Sequence, residues 1–317
     1  MPIRTFACTI GICVLLCGLL AAASAPSISP EVEQRRNLQY ADRGQDAQPR
    51  RTSLDLYIPQ TNHEGALKPI VVFIHGGAWA IGDKSRVHRK PAMITGEGWI
   101  FASVNYRLSP GVVYPAHGED VAEAIAWIRL NAKDFGGDPD RVAIIGHSAG
   151  AHLAAVLATD PDLLAAHGSK PADLAGVVLL DGAGYDIFGH MSNPQIPEGR
   201  KRMYRVAFGS DRDVWEKASP ILHAGRKGEY PPVLAVYAGR MGLSRLESSR
   251  LVESLRKSGA RAELHHAREK DHSGVNILLG APDADTKAVM DFLRSVLEQV
   301  EPDDSEPSTP PEQQPGR

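Results

Sequence analysis

The sequence predicts an α/β domain: a doubly wound, mostly parallel sheet with an insertion after its sixth strand. Three observations carry that expectation. Continuous apolar runs recur at residues 70–74, 100–104, 142–145, 177–180 and 233–237, the pattern of strands buried on both faces. Helical periodicities separate them, with Val121, Ile125 and Ile128 in 120–133, Leu251 and Leu255 later, and Val289, Phe292, Leu293 and Val296 last. Strands that alternate with helices form a sheet covered on both sides. The third observation is size. Of 317 residues, 43% are hydrophobic and 23% charged. The body of roughly 275 residues suits one large α/β domain or two small ones.

Taken in order, the chain begins with Arg4, an apolar run over 6–20, and Ala23-Ser24-Ala25 before Pro26. Residues 1–25 thus read as an export signal with a small-x-small cleavage site. The run is shorter than the ~20 residues a spanning helix needs, so the expectation is a periplasmic or secreted protein with no membrane span after cleavage. Cys8, Cys13 and Cys17 all fall in this segment, and Leu16 before Cys17 argues against lipid attachment. The rest of the chain has no cysteine for a disulfide, a thiolate metal site or a nucleophile.

Residues 26–51 form a polar leader in which a first strand begins near Leu38. The body spans 52–300. Within it, 54–58 alternate apolar and polar residues like a half-buried antiparallel strand, and Pro59 ends it. The strand at 262–266 is more mixed. Residues 182–230, rich in Gly, Pro and charge, read as a cap over one end of the sheet, with one or two short helices around Arg202 and Val214. Residues 301–317 are Pro-rich and acidic, a disordered tail by composition. A formal charge of −3 and no basic run argue against a nucleic-acid partner.

Chemistry concentrates at two glycine-rich turns. Gly146-His147-Ser148-Ala149-Gly150 fits G-x-S-x-G and sits between the apolar run 142–145 and an Ala- and Leu-rich helix at 151–159. A strand-turn-helix elbow exposes its serine above the sheet, and the helix N-terminus favours negative charge beside it. Ser148 is therefore the candidate nucleophile. His75-Gly76-Gly77-Ala78-Trp79 follows the run 70–74 directly. Acyl transfer needs N–H donors aimed at the oxyanion. Gly77 and Ala78 are the candidate loop donors, Ala149 completes the set, and Gly76 lets the chain pack closely.

With these motifs, the chain resembles the α/β-hydrolase esterases with an HGG-x-W oxyanion loop, related to hormone-sensitive-lipase-like carboxylesterases and kynurenine formamidases. Matching stretches include Asn105-Tyr106-Arg107-Leu108-Ser109-Pro110, Gly136-Gly137-Asp138-Pro139, Ala218-Ser219-Pro220 and Asp271-His272. The likeness runs from about residue 52 to 297. It implies the α/β-hydrolase fold, a small-molecule ester or amide substrate, and neither metal nor organic cofactor.

The resemblance implies His272 as the base, since it follows the last predicted strand and respects the order serine, acid, histidine. Among the other histidines, His265 and His266 lie in a strand. His147 and His152 flank the serine without easily facing it, and His75 is buried support for the oxyanion loop. The acid departs from the family pattern. An Asp is expected in the loop after the strand 233–237, but residues 238–244 contain no carboxylate. Asp181, at the C-terminal end of the neighbouring strand, is the candidate; its alternative role is to cap the turn 182–184. Glu247 lies further off on the next helix, and Asp271 has the wrong side-chain direction.

Three functions remain open at this point. The leading one is a carboxylic-ester hydrolase working through an acyl-enzyme. The same machinery could cleave an amide or formamide. The missing loop carboxylate motivates the third, a catalytically impaired binding protein on a hydrolase fold.

Overall fold

The computed structural model describes residues 31–43, 49–60, 65–182, 184–239 and 242–298. The export-signal segment 1–25 and the tail 301–317 lie outside the described residues. Eight strands form one sheet: β1 (Glu31–Gln39), β2 (Ser53–Gln60), β3 (Lys68–Ile74), β4 (Ile100–Val104), β5 (Gly137–His147), β6 (Gly176–Leu180), β7 (Val233–Ala238) and β8 (Ala262–Ala267). Their spatial order is β1-β2-β4-β3-β5-β6-β7-β8. β2 is antiparallel to both β1 and β4, and every other pairing is parallel.

The continuous apolar runs become the central strands because both of their faces are covered. Ile70, Val72 and Ile74 of β3 join Val142 and Ile144 of β5 in one core, while Val71, Phe73, Ala143 and Ile145 join a second on the opposite face, as the two-residue period of a strand requires. Helices Ala116–Asn131, Ala149–Thr159 and Leu243–Lys257 cover the first face, and Ala284–Leu297 covers the second. The chain leaves β3 towards β4 on one side and leaves β5 towards β6 on the other. The loops after β3 and β5 therefore border a crevice at the point where the winding reverses, the place where open α/β sheets bind ligands. These two loops carry His75–Trp79 and Ser148.

Three local expectations change. The first strand starts at Glu31, well before Leu38. It is an outer strand, paired only with β2 and interrupted by a register shift between Arg35 and Leu38. A charged edge strand of this kind resists pairing with other chains and shows no apolar alternation. β2 is buried along almost its whole length rather than half-buried. The loop after β3 folds over its polar face, where Asp55 meets the buried Lys84 ammonium and accepts the Asn37 N–H at 2.8 Å. Removing one member of such a pair leaves the other charge buried alone. Asp55→Ala is expected to destabilise the fold by about 3–5 kcal/mol, read as a lower midpoint in urea unfolding.

The insertion is more helical than composition suggested. It contains Ile187–Ser192, Glu198–Phe208, Arg212–Lys217 and Pro220–His223. Tyr204 and Phe208 bury themselves against Trp79, with ring centroids 6.0 and 4.8 Å away. This segment is thereby pinned over the glycine-rich turn after β3.

Candidate active site

β5 ends at His147 and a helix begins at Ala149, so Ser148 alone makes the turn, at φ 54 and ψ −118. Such a conformation is uncommon for a residue with a side chain. It lifts the Ser148 hydroxyl out of both elements. The Ser148 N–H donates to Leu180 O at 3.0 Å, which ties the turn to the end of β6. The next residue is Asp181, and its N–H reaches across to Val236 O of β7 at 2.7 Å.

These ties bring three sequence-predicted residues together. Ser148 Oγ lies 3.0 Å from His272 Nε2, and His272 Nδ1 lies 2.7 Å from Asp181 Oδ2. Asp181 is 6% exposed and sits at φ 43. Its other oxygen accepts the Ala238 N–H at 2.7 Å and the Ser244 hydroxyl at 2.6 Å. The loop that lacks the family's carboxylate instead holds the carboxylate of the neighbouring strand end.

The electrostatics follow from those contacts. Burial opposes ionisation of Asp181, but hydrogen bonds from His272, Ser244 and the Ala238 N–H outweigh it and hold the carboxyl below its usual range. The Asp181 hydrogen bond raises the His272 pKa above its ordinary value of 6.5, against partial desolvation. An ionised carboxylate beside Nδ1 demands the tautomer with its proton there. That leaves Nε2 free to accept from Ser148.

The glycine-rich turn after β3 stands beside the serine. Gly77, Ala78 and Trp79 all adopt positive φ, at 128, 49 and 58. A Cβ on Gly77 would fall 2.1 Å from Ile81 O, and one on Gly76 would fall 2.8 Å from His147 Nδ1. The Gly77 carbonyl accepts from both Ala80 and Ile81 N–H at 3.0 Å, and so points into its own turn. Among the described residues, the N–H groups of Gly77, Ala78 and Ala149 have no hydrogen-bond acceptor. Gly76, Gly77, Ala78, Ser148 and His272 line one cavity of about 760 Å³.

The remaining histidines divide by environment. His75 is buried and stacks on Tyr106 at 4.5 Å, whose hydroxyl donates to His75 O. His152 accepts from Trp79 Nε1 at 3.3 Å and donates to Ala218 O at 2.8 Å, joining the turn after β3 to the insertion. Burial lowers both pKa values to about 4, so both are neutral. His265 meets Asp285 and His266 stacks on Tyr237, both within the surroundings of β8.

His147 departs from expectation. It lines the cavity, its ring is 4.9 Å from that of His272, and its Nε2–H donates to His272 O at 2.9 Å. It therefore fixes the backbone of the candidate base. No local sequence signal marks a contact between positions 125 apart in the chain.

The other carboxylates are occupied elsewhere. Glu247 is buried and accepts the Gly184 and Tyr185 N–H groups at 2.6 Å each, beside His190. Asp271 accepts the Gly274 N–H at 2.6 Å, at the start of the short helix Gly274–Ile277. Among the described residues, no cluster of three or more His, Cys, Asp or Glu could hold a metal, and no helix is long and apolar enough to cross a membrane.

Known proteins resemble this chain. Esterase LipQ of Mycobacterium tuberculosis (strain ATCC 25618 / H37Rv) is 34% identical over 233 residues, which cover 69% of this chain and 54% of LipQ. The isoprenylcysteine alpha-carbonyl methylesterase ICME of Arabidopsis thaliana is 30% identical over 276 residues, 83% of this chain and 61% of ICME. The chain thus spans little more than half the length of these curated relatives. The solved structure of EstE1, a thermostable carboxylesterase cloned from a metagenomic library, superposes with a TM-score of 0.65 at 26% identity, covering 85% of this chain and 90% of EstE1. The model of the BD-FAE family matches residues 54–240, a span that holds both Ser148 and Asp181. With more than half of the chain matched and its sheet arranged as described, this protein belongs to the BD-FAE family and has the α/β-hydrolase fold.

Proposed function

We propose that this protein is a serine esterase that hydrolyses a small-molecule carboxylic ester through an acyl-enzyme. The observation that carries the reading is the unbroken chain from Ser148 Oγ through His272 to Asp181, beside N–H groups without acceptors. His272 Nε2 takes the Ser148 proton as Oγ attacks the ester carbon, and the carbonyl electron pair moves onto oxygen. The N–H groups of Gly77, Ala78 and Ala149 receive that oxyanion. The protonated His272 then gives its proton to the departing alcohol oxygen. Water repeats the sequence on the acyl-enzyme and releases the acid. Asp181 stays ionised throughout and stabilises the imidazolium. The relatives named esterases and carboxylic ester hydrolases support the same reading.

The test is hydrolysis of p-nitrophenyl butyrate across pH. His272 must be neutral to accept the serine proton, so kcat/KM falls as pH drops through its pKa. The Asp181 hydrogen bond raises that pKa, which places the acid limb above 6.5. A limb centred well below 6.5 would mean that Asp181 and His272 are not coupled in solution. Export by way of residues 1–25 belongs to the same proposal, and N-terminal sequencing of protein secreted by an expressing bacterium checks it.

A further inference from the structure

We propose that the cavity beside Ser148 selects esters that carry a carboxylate, and that Arg86 is the residue that binds it. The inference rests on the esterase reading of the site. No Asp or Glu lines the cavity, whereas Arg86, His88 and three further histidines do. The whole chain is slightly acidic, with a formal charge of −3, and burial lowers the pKa of His75, His88 and His147, so Arg86 is the fixed positive charge of this lining.

Arg86 belongs to the basic stretch Asp83-Lys84-Ser85-Arg86-Val87-His88-Arg89-Lys90. Its neighbours in that stretch are engaged. Asp83 takes Arg50, the Ser85 N–H and Asn105, and Lys84 is held by Asp55 and Asn37. Arg86 is exposed, lines the cavity and forms no ion pair with a carboxylate among the described residues. His88, on the same wall, is held at φ 51. A non-glycine backbone kept in that region marks a turn that the surroundings impose.

A second basic group stands behind the wall. Lys90 is fully buried, with Nζ 4.5 Å over the centre of the Phe73 ring and donating to Asn276 O at 2.8 Å. Phe73 and Asn276 both line the cavity. The polar partner of that amine is a backbone carbonyl rather than a carboxylate, and burial lowers its pKa to about 7. Buried charges are ordinarily paired. A nearby anion favours the charged form of such an amine. Guanidinium offers a planar pair of donors that fits a carboxylate, and a neutral ester gains nothing from it.

The carboxylate could lie on the acyl or on the alcohol side of the ester, and paired substrates separate the two. For the acyl side, the mono-p-nitrophenyl ester of adipic acid is compared with the p-nitrophenyl ester of adipamic acid, its neutral isostere. For the alcohol side, p-carboxyphenyl butyrate is compared with p-carbamoylphenyl butyrate. The full chain is expected to prefer the anionic member of one pair by about tenfold in kcat/KM at low salt. That ratio should shrink towards one at about 0.5 M NaCl, where surface charges are screened. It should also collapse in Arg86→Gln and return only in part in Arg86→Lys, which keeps the charge without the paired donors. Ratios near one in both pairs, or a preference that Arg86→Gln leaves intact, would overturn the proposal while the esterase reading stands. Folded protein that cleaves none of the four and takes no fluorophosphonate label would overturn both.

Discussion

Asp181→Asn is expected to lower kcat for a p-nitrophenyl ester about 10⁴-fold while leaving the protein folded and KM little changed. The reason is tautomeric rather than steric. An asparagine at this position can still accept the Ala238 N–H and the Ser244 hydroxyl through its carbonyl oxygen. Its NH₂ group then faces His272 Nδ1, which must accept rather than donate. The imidazole proton moves to Nε2, where it points at Ser148 Oγ and cannot receive the serine proton. Loss of the carboxylate also removes what raises the His272 pKa, so the acid limb of the residual activity should move to lower pH. Steady-state kinetics across pH check both parts. Asp181→Asn activity within tenfold of wild type would show that Asp181 only buttresses the turn it sits in.

Ser148→Ala is expected to reduce kcat about 10⁶-fold, near the level reached when a serine nucleophile is lost in other hydrolases. The cavity and the N–H groups around it remain, so ester should still bind, and any residual rate reflects those groups alone. The elbow conformation at Ser148 is set by its neighbours, with Ser148 N–H bonded to Leu180 O and His152 N–H to Ser148 O. Alanine keeps those backbone bonds, so near-UV circular dichroism should match wild type. Substantial p-nitrophenolate release by a folded Ser148→Ala variant would place the nucleophile elsewhere.

The legible parts of this protein are those encoded locally. The runs at 70–74 and 142–145 are apolar throughout because β3 and β5 are covered on both faces, and each ends directly in its glycine-rich turn. Ser148 and Gly76–Ala78 could therefore be placed at one sheet edge from sequence. His272 followed from its position after β8 and its match to a known family.

Asp181 could be named as the candidate acid from its place at a strand end, with a turn-capping role left open. Its place next to His272, 91 positions away, depends on β6 lying beside β7 and on Ser244 and Ala238 turning donors towards it. The contact of His147 with His272, the burial of Asp55 against Lys84 and the start of β1 at Glu31 were not legible. Each depends on what another part of the chain covers, and no periodicity or motif within the segment records that.

The most direct test of Ser148 as an ester-cleaving nucleophile is intact-mass analysis after a fluorophosphonate, with p-nitrophenyl butyrate turnover measured on the same sample. The expected result is a single adduct that maps to Ser148, formed as turnover disappears and prevented by prior incubation with excess ester. A folded protein that shows neither turnover nor an adduct at Ser148 would contradict the account and leave a hydrolase fold put to another use.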